Sequence, residues 1–192
     1  LYIDYLKDIV KGCDFIGLKV VIDCAFGSVA SIAPQVFREI GCSLVSLNDT
    51  PSGENINQKS GSLHPDVIKE AVLKEGADCG FSFDGDGDRV IACNEKGKIL
   101  DGDFILAIIG SYLHSQKALN KNTIVTTHMA NLGLQLFVEQ WGGKLEKADV
   151  GDKHVLKKML ASRLNLGGEQ SGHIIPLDYA TTGDGLLTAL LL

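Results

Sequence analysis

The order strand, short turn, helix ending at glycine, strand is written twice in this chain, and that repetition narrows the folds open to it. In the first copy Lys19-Val20-Val21-Ile22-Asp23 is a short apolar run rich in β-branched residues, which suits a buried strand. A small-residue turn follows at Ala25-Phe26-Gly27-Ser28. Ile32 to Ile40 then sets Val36, Phe37 and Ile40 on one helical face, with Gly41 as the stop, and Ser43 to Leu47 predicts the next strand. In the second copy Thr123 to Thr127 predicts a strand, His128 to Asn131 a turn and Leu132 to Trp141 a helix ended by Gly142 and Gly143. Lys144 to Lys147 predicts the strand after it. Two tandem α/β domains of similar topology with mixed sheets are expected, rather than one sheet running through both halves.

A chain of 192 residues has room for two such units at roughly 100–200 residues each. The join is expected between Gly97 and Asp103, where Glu95-Lys96-Gly97-Lys98 reads as a turn. There Asp101 or Asp103 can cap a helix over Phe104–Tyr112. The expected domains are therefore 1–99 and 100–192. Thr50 to Pro65 is poor in apolar residues and rich in Gly, Asn and Ser, which predicts a long loop of the kind that often carries function.

A net charge of −6 argues against a nucleic-acid partner or an anionic membrane surface, which need clustered Lys and Arg. No apolar run reaches the ~18 residues of a membrane helix. Cys13, Cys24, Cys42, Cys79 and Cys93 are odd in number and contain no CxxC pair, so neither a disulfide framework nor a zinc knuckle is indicated. Most sit within apolar runs and read as buried thiols of a reducing, cytoplasmic compartment. The chain opens on helical periodicity without Met and closes inside Leu186 to Leu192, so a piece of a longer protein is expected.

The strongest local signal is Phe81-Ser82-Phe83-Asp84-Gly85-Asp86-Gly87-Asp88-Arg89-Val90-Ile91. An apolar strand runs straight into three carboxylates spaced two apart by glycines. Three such charges repel one another without a cation, and the glycines let the backbone curl so that Asp84, Asp86 and Asp88 converge. Hard oxygen ligands with room for a phosphate oxygen suit Mg²⁺. Arg89 then stands where a planar guanidinium can hold a phosphate by two hydrogen bonds. An EF-hand is rejected, because its sixth position is Arg89 where that loop needs Gly. A haloacid-dehalogenase-type phosphatase, with Asp84 as nucleophile, stays open but leaves Asp88 and Arg89 unexplained.

The second motif is Gly167-Gly168-Glu169-Gln170-Ser171-Gly172-His173, following a strand-like stretch at Leu164 to Leu166. Glu169 and Ser171 suit sugar hydroxyls or an amine, and His173 suits proton transfer or a phosphate contact. Thr181-Thr182-Gly183-Asp184-Gly185 predicts a further loop that caps the last helix through Thr or Asp. Ligands of open α/β domains bind beyond the carboxyl ends of strands. The two motifs are therefore expected to face one another across an interdomain cleft, about 10–15 Å apart.

D-G-D-x-D-R at 84–89 followed by G-E-x-S-G-H at 168–173 resembles the α-D-phosphohexomutases. The likeness extends through Asp23-Cys24-Ala25, Asn55-Ile56-Asn57 and Gly61-Ser62-Leu63-His64-Pro65. Gln170, Val150-Gly151-Asp152-Lys153 and Thr181 to Gly185 are most similar to that family's phosphoglucosamine mutase branch. Its phosphomannomutase/phosphoglucomutase branch, the alternative, usually carries Met in place of Gln170. There are departures: Phe26 stands where the family usually has Asn, Asp149 where it often has a basic residue, and Lys153 in place of a common Arg.

The resemblance implies the second and third domains of a four-domain enzyme. The missing first domain would carry a phosphoserine, and the missing fourth a phosphate-binding loop. It implies Mg²⁺ held by Asp84, Asp86 and Asp88, and a hexosamine phosphate substrate bound through Glu169, Ser171, Asp152 and Lys153. Arg89 and His173 would be the catalytic groups, and a homodimer of the full-length enzyme is one arrangement open to it. The implied reaction converts glucosamine 6-phosphate to glucosamine 1-phosphate through a bisphosphate, which this piece alone could not perform. A non-catalytic sugar-phosphate-binding module is the alternative of another class.

Overall fold

The computed structural model describes residues 1–192. Helix α1 (Tyr2–Ile9) leads into the first α/β unit, which runs β1 (Lys19–Asp23), α2 (Ala33–Glu39), β2 (Ser43–Leu47), α3 (Pro65–Glu75), β3 (Cys79–Phe83), β4 (Val90–Asn94) and β5 (Ile99–Leu100). Its sheet has the order β2-β1-β3-β4-β5, with β1 parallel to β2 and β3, and β4 antiparallel to β3 and β5. Four of the five residues of β1 are buried, as a parallel strand covered on both faces requires.

The second unit repeats this plan. Helix α4 (Gly102–Ser115) is followed by β6 (Thr123–Thr127), α5 (Leu132–Gln140), β7 (Lys144–Ala148), α6 (Asp152–Ser162), β8 (Leu166–Gly168), β9 (Ile174–Pro176) and α7 (Gly185–Leu191). The order β7-β6-β8-β9 matches β2-β1-β3-β4 strand for strand, with the last pair again antiparallel. Only β5 has no counterpart. The chain thus forms two α/β units with separate mixed sheets.

Local chemistry sets the ends of the helices. Helix α3 starts on Pro65, whose fixed φ suits a first turn, and stops at Gly76 in the left-handed region. Asp101 caps α4 by accepting from the backbone N–H of Asp103 and Phe104, and Asp184 caps α7 by accepting from Leu187 N–H at 2.9 Å. The expected helix over 32–40 is shorter, because Ser28–Ser31 forms a separate 3₁₀ turn ahead of it. The strand expected at Leu164 to Leu166 lies at Leu166–Gly168 instead. Glycines occupy it because a Cβ on Gly167 would sit 2.6 Å from Met159 Sδ on the covering helix α6.

One core of 28 buried residues serves both sheets. Ile105, Leu106 and Ile109 of α4, which follows the first sheet in sequence, pack with Ile124, Leu166 and Ile174 of the second. Leu186, Leu187 and Leu190 of α7, which follows the second sheet, share the same cluster with Phe83, Val90 and Ala92 of the first. Helix α4 also touches β4 and β5, and α7 also touches β9, and this sharing of helices presents the β3–β4 and β8–β9 connections to each other.

Candidate active site

The two motifs occupy equivalent places in the two units. The acidic loop joins β3 to β4, and the Glu169 loop joins β8 to β9. Each is the first antiparallel return after a core of three parallel strands.

In the acidic loop one ligand oxygen from each of Asp84, Asp86 and Asp88 lies within 4.8 Å of the others. Asp84 Oδ1 is tied down by the backbone N–H of Gly87 at 3.1 Å and of Arg89 at 3.2 Å. Burial, with Asp88 and Asp86 beside it, pushes the Asp84 carboxyl up to about 7. Asp88 Oδ1 is buried and has no hydrogen-bond partner. Crowded carboxylates, a proton-retaining carboxyl and an orphaned oxygen all fit a divalent cation, which would remove the repulsion and take the free lone pairs. Arg89 offsets part of the charge, its Nε standing 3.7 Å from Asp88 and 3.9 Å from Asp84.

The loops touch directly at one end. Val90 N–H donates to Gly172 O at 3.1 Å, and His173 Nδ1 lies 3.1 Å from Asp88 Oδ2. The gap expected from element dimensions is absent there, because α4 and α7 each pack on both sheets and draw them together. Gly172 makes this approach feasible: its φ is +92°, and any Cβ would overlap Val90 O. His173 does not face the cleft as expected but is buried at 3% exposure.

At the other end the loops part around a cavity of about 430 Å³ lined by Arg89, Glu169, Gln170, Ser171, Thr127, Met129 and Val150. Glu169 holds one oxygen on Gly151 N–H at 2.9 Å, and Ser171 is exposed. Gln170 is anchored outward, donating to Asp101 Oδ2 at 3.3 Å while its carbonyl accepts Gly102 N–H. Asp152 and Lys153 stand exposed on the first turn of α6 and do not line this cavity.

Sequence reading missed Asp23, a fully buried carboxylate. Its Oδ1 accepts from Ala25 N–H and Asn48 Nδ2, and its Oδ2 from Gly61 N–H at 2.8 Å. It therefore pins the 50–65 loop beside the acidic loop. The available signal was a carboxylate ending a strand whose interior, Val20 to Ile22, is apolar.

The phosphoglucomutase/phosphomannomutase α/β/α domain II matches residues 1–97, and domain III matches residues 101–192. The chain belongs to the phosphoglucomutase/phosphomannomutase family. It is 50% identical over 191 residues to the phosphoglucosamine mutase of Clostridioides difficile, covering all of this chain and 42% of that protein. It is likewise 50% identical over 192 residues to that of Alkaliphilus metalliredigens, covering 43% of it. The chain therefore spans less than half the length of these curated relatives. A family protein from Burkholderia thailandensis superposes with a TM-score of 0.85 at 28% identity, over 97% of this chain and 42% of its own. An Aspergillus fumigatus N-acetylphosphoglucosamine mutase, solved with GlcNAc-6P and magnesium, shares the fold with a TM-score of 0.73 at 20% identity. That match covers 98% of this chain and 48% of the other.

Proposed function

We propose that these residues form the metal-binding and sugar-binding domains, 1–99 and 100–192, of a phosphoglucosamine mutase acting in the cytoplasm. The reaction interconverts glucosamine 6-phosphate and glucosamine 1-phosphate through an enzyme phosphoserine and a bisphosphate. The observation that carries this reading is the shared cavity: Arg89 from the acidic loop and Glu169 and Ser171 from the second loop line one space. A phosphate and a hexosamine ring need such a pairing of a guanidinium with a carboxylate and hydroxyl. The names of the relatives at 50% identity favour a hexosamine over a hexose phosphate.

Asp84, Asp86 and Asp88 would hold Mg²⁺, which when bound neutralises charge on a phosphoryl group in transfer. Arg89 keeps its Nε toward Asp88 and Asp84, at 3.7 and 3.9 Å, and lines the cavity, where its remaining guanidinium N–H groups can take a phosphate oxygen. Glu169 keeps its second carboxylate oxygen for a sugar hydroxyl or the ammonium group, and Ser171 offers a hydroxyl beside it. The serine nucleophile and the second phosphate-binding loop belong to the first and fourth domains of the longer protein.

The test is turnover of glucosamine 6-phosphate. The full-length protein should convert it to the 1-phosphate and lose most activity on Asp88→Ala, while residues 1–192 alone should not turn over. Turnover by these residues alone would sink the reading. Release of inorganic phosphate would favour the phosphatase chemistry with Asp84 as nucleophile.

A further inference from the structure

Helices α4 and α5 start side by side. Asn131, the N-cap of α5, donates its N–H to Asp103 Oδ2 on the first turn of α4 at 2.7 Å. From that end Phe104 and Ile108 of α4 and Leu134 and Phe137 of α5 line a cavity of about 470 Å³. Phe104, Ile108 and Phe137 are exposed there. Asp101 and Asp103 line the same cavity, and no Lys, Arg or His does. It shares no lining residue with the cavity of Arg89, Glu169 and Ser171. Asp101 is fully engaged, with Oδ1 on the N–H of Asp103 and Phe104 and Oδ2 on Gln170. Asp103 is not: it is 5% exposed, and its Oδ1 has no hydrogen-bond partner.

We propose that this cavity is a binding site for a small amphipathic amine, an apolar body ending in an ammonium group. A mostly apolar hollow of this size with a few convergent polar groups is the usual form of a small-molecule site. The apolar body would cover Phe104, Ile108, Leu134 and Phe137 and take their surface out of water. The ammonium would meet the acidic end, where Asp103 Oδ1 lacks a donor, and a charged donor makes the stronger hydrogen bond to a carboxylate. The lining decides the sign of the ligand: two carboxylates and no cation repel an anion and give a neutral group no charge-assisted bond. Burial holds the Asp103 carboxyl above the ordinary range and Asp101 adds to the rise, and a cation in the cavity opposes both. Lys98 does not supply that cation, since its Nζ sits 4.3 Å from the centroid of the Phe104 ring and the residue does not line the cavity.

The experiment titrates three matched probes, phenethylamine, 2-phenylethanol and 3-phenylpropionate, into the chain at about pH 7 and follows backbone amide shifts in ¹H–¹⁵N spectra. Phenethylamine should bind at least about tenfold more tightly than 2-phenylethanol, and 3-phenylpropionate more weakly than either. The shifts should centre on Phe104, Ser111 and Gly133, which line the cavity. That ranking is read in the unaltered protein and needs no variant to fold. Asp103→Asn keeps an acceptor for Asn131 N–H and removes the charge, so the amine and the alcohol should then bind within about threefold of each other. An amine that binds no better than the alcohol, shifts centred on Asp84 to Asp88, or an amine preference that persists in Asp103→Asn would overturn the inference.

Discussion

The carboxylate of Glu169 accepts the backbone N–H of Gly151, the residue that precedes helix α6, at 2.9 Å. Helix α6 has no side-chain cap of its own, so a carboxylate from a distant loop supplies both an acceptor and a negative charge at its positive end. Glu169→Gln keeps an acceptor and should cost about 0.3–1 kcal/mol of stability, while Glu169→Ala should cost about 1–2 kcal/mol. Both should weaken glucosamine 6-phosphate binding, because the oxygen left for the sugar is lost or uncharged. Urea denaturation and ligand titration on the same samples separate the two effects. Unchanged ligand affinity in Glu169→Ala would remove Glu169 from the sugar site.

Asp86 is exposed and makes no protein hydrogen bond with its carboxylate, so its share in the acidic cluster is all cost until a cation arrives. Asp86→Asn should abolish the heat of Mg²⁺ binding while leaving the metal-free chain at least as stable as before. In the unaltered chain a Mg²⁺ concentration of about 100 times the dissociation constant should add about 2.7 kcal/mol of stability. Thermal melts with and without Mg²⁺ read this directly. An equal shift in Asp86→Asn would mean that the ion binds elsewhere.

Asp103 lies 5% exposed on the first turn of α4, with Oδ2 on Asn131 N–H at 2.7 Å and Oδ1 unpartnered. Burial holds its carboxyl above the ordinary range, with the Asn131 bond opposing and Asp101 adding to the rise. The folded chain therefore keeps this proton to higher pH than the unfolded chain does. The stability Asp103 confers declines as pH rises from the ordinary carboxylate range through the raised value. Asn at this position retains an acceptor for Asn131 and never ionises. Asp103→Asn should match the unaltered chain at about pH 3.5 and gain on it by about pH 7, as read by urea midpoints. A gap that does not change with pH would show that Asp103 is not neutralised by its burial.

The strands and the repeat were legible because β-branched runs of five residues between glycine-bearing turns leave few other readings. The carboxylate triad was legible because its cost is written in the spacing of Asp84, Asp86 and Asp88. The meeting of Gly172 with Val90 and of His173 with Asp88 was not. It depends on α7 crossing to the first sheet and on α4 touching both, and an apolar face such as that of Leu186, Leu187 and Leu190 does not say which sheet will cover it. Helix α6 was missed for a related reason. Its segment Val150-Gly151-Asp152-Lys153 was read for chemistry, while its apolar stripe of Val155 and Met159 is short and set among lysines. Asp23 was hidden because all three of its donors are remote or backbone groups.

Phe26 tests how far this chain tolerates a departure from its family's pattern. It stands in the turn after β1 with φ at +52°, and Ala25 before it has the same value. That left-handed region is a genuine outlier for a bulky side chain, whereas Asn visits it with local side-chain hydrogen bonds, and Asn is the residue the family usually carries here. The conformation is imposed from outside: Phe26 N–H donates to Asn48 O at 2.7 Å, and Asn57 N–H donates to Ala25 O at 2.8 Å. Phe26 is only half-buried, so removing its ring forfeits part of the roughly 1.5–3 kcal/mol of a fully buried side chain. Phe26→Ala loses that burial and relieves little strain, and should be destabilised by about 1–2 kcal/mol. Phe26→Asn loses the same burial but recovers about 1 kcal/mol of backbone strain, so it should be the more stable of the two variants by about that amount. Paired urea denaturation of the two proteins is the measurement. Equal midpoints would show that the turn stores no strain at Phe26, and that the aromatic ring is held there by packing alone.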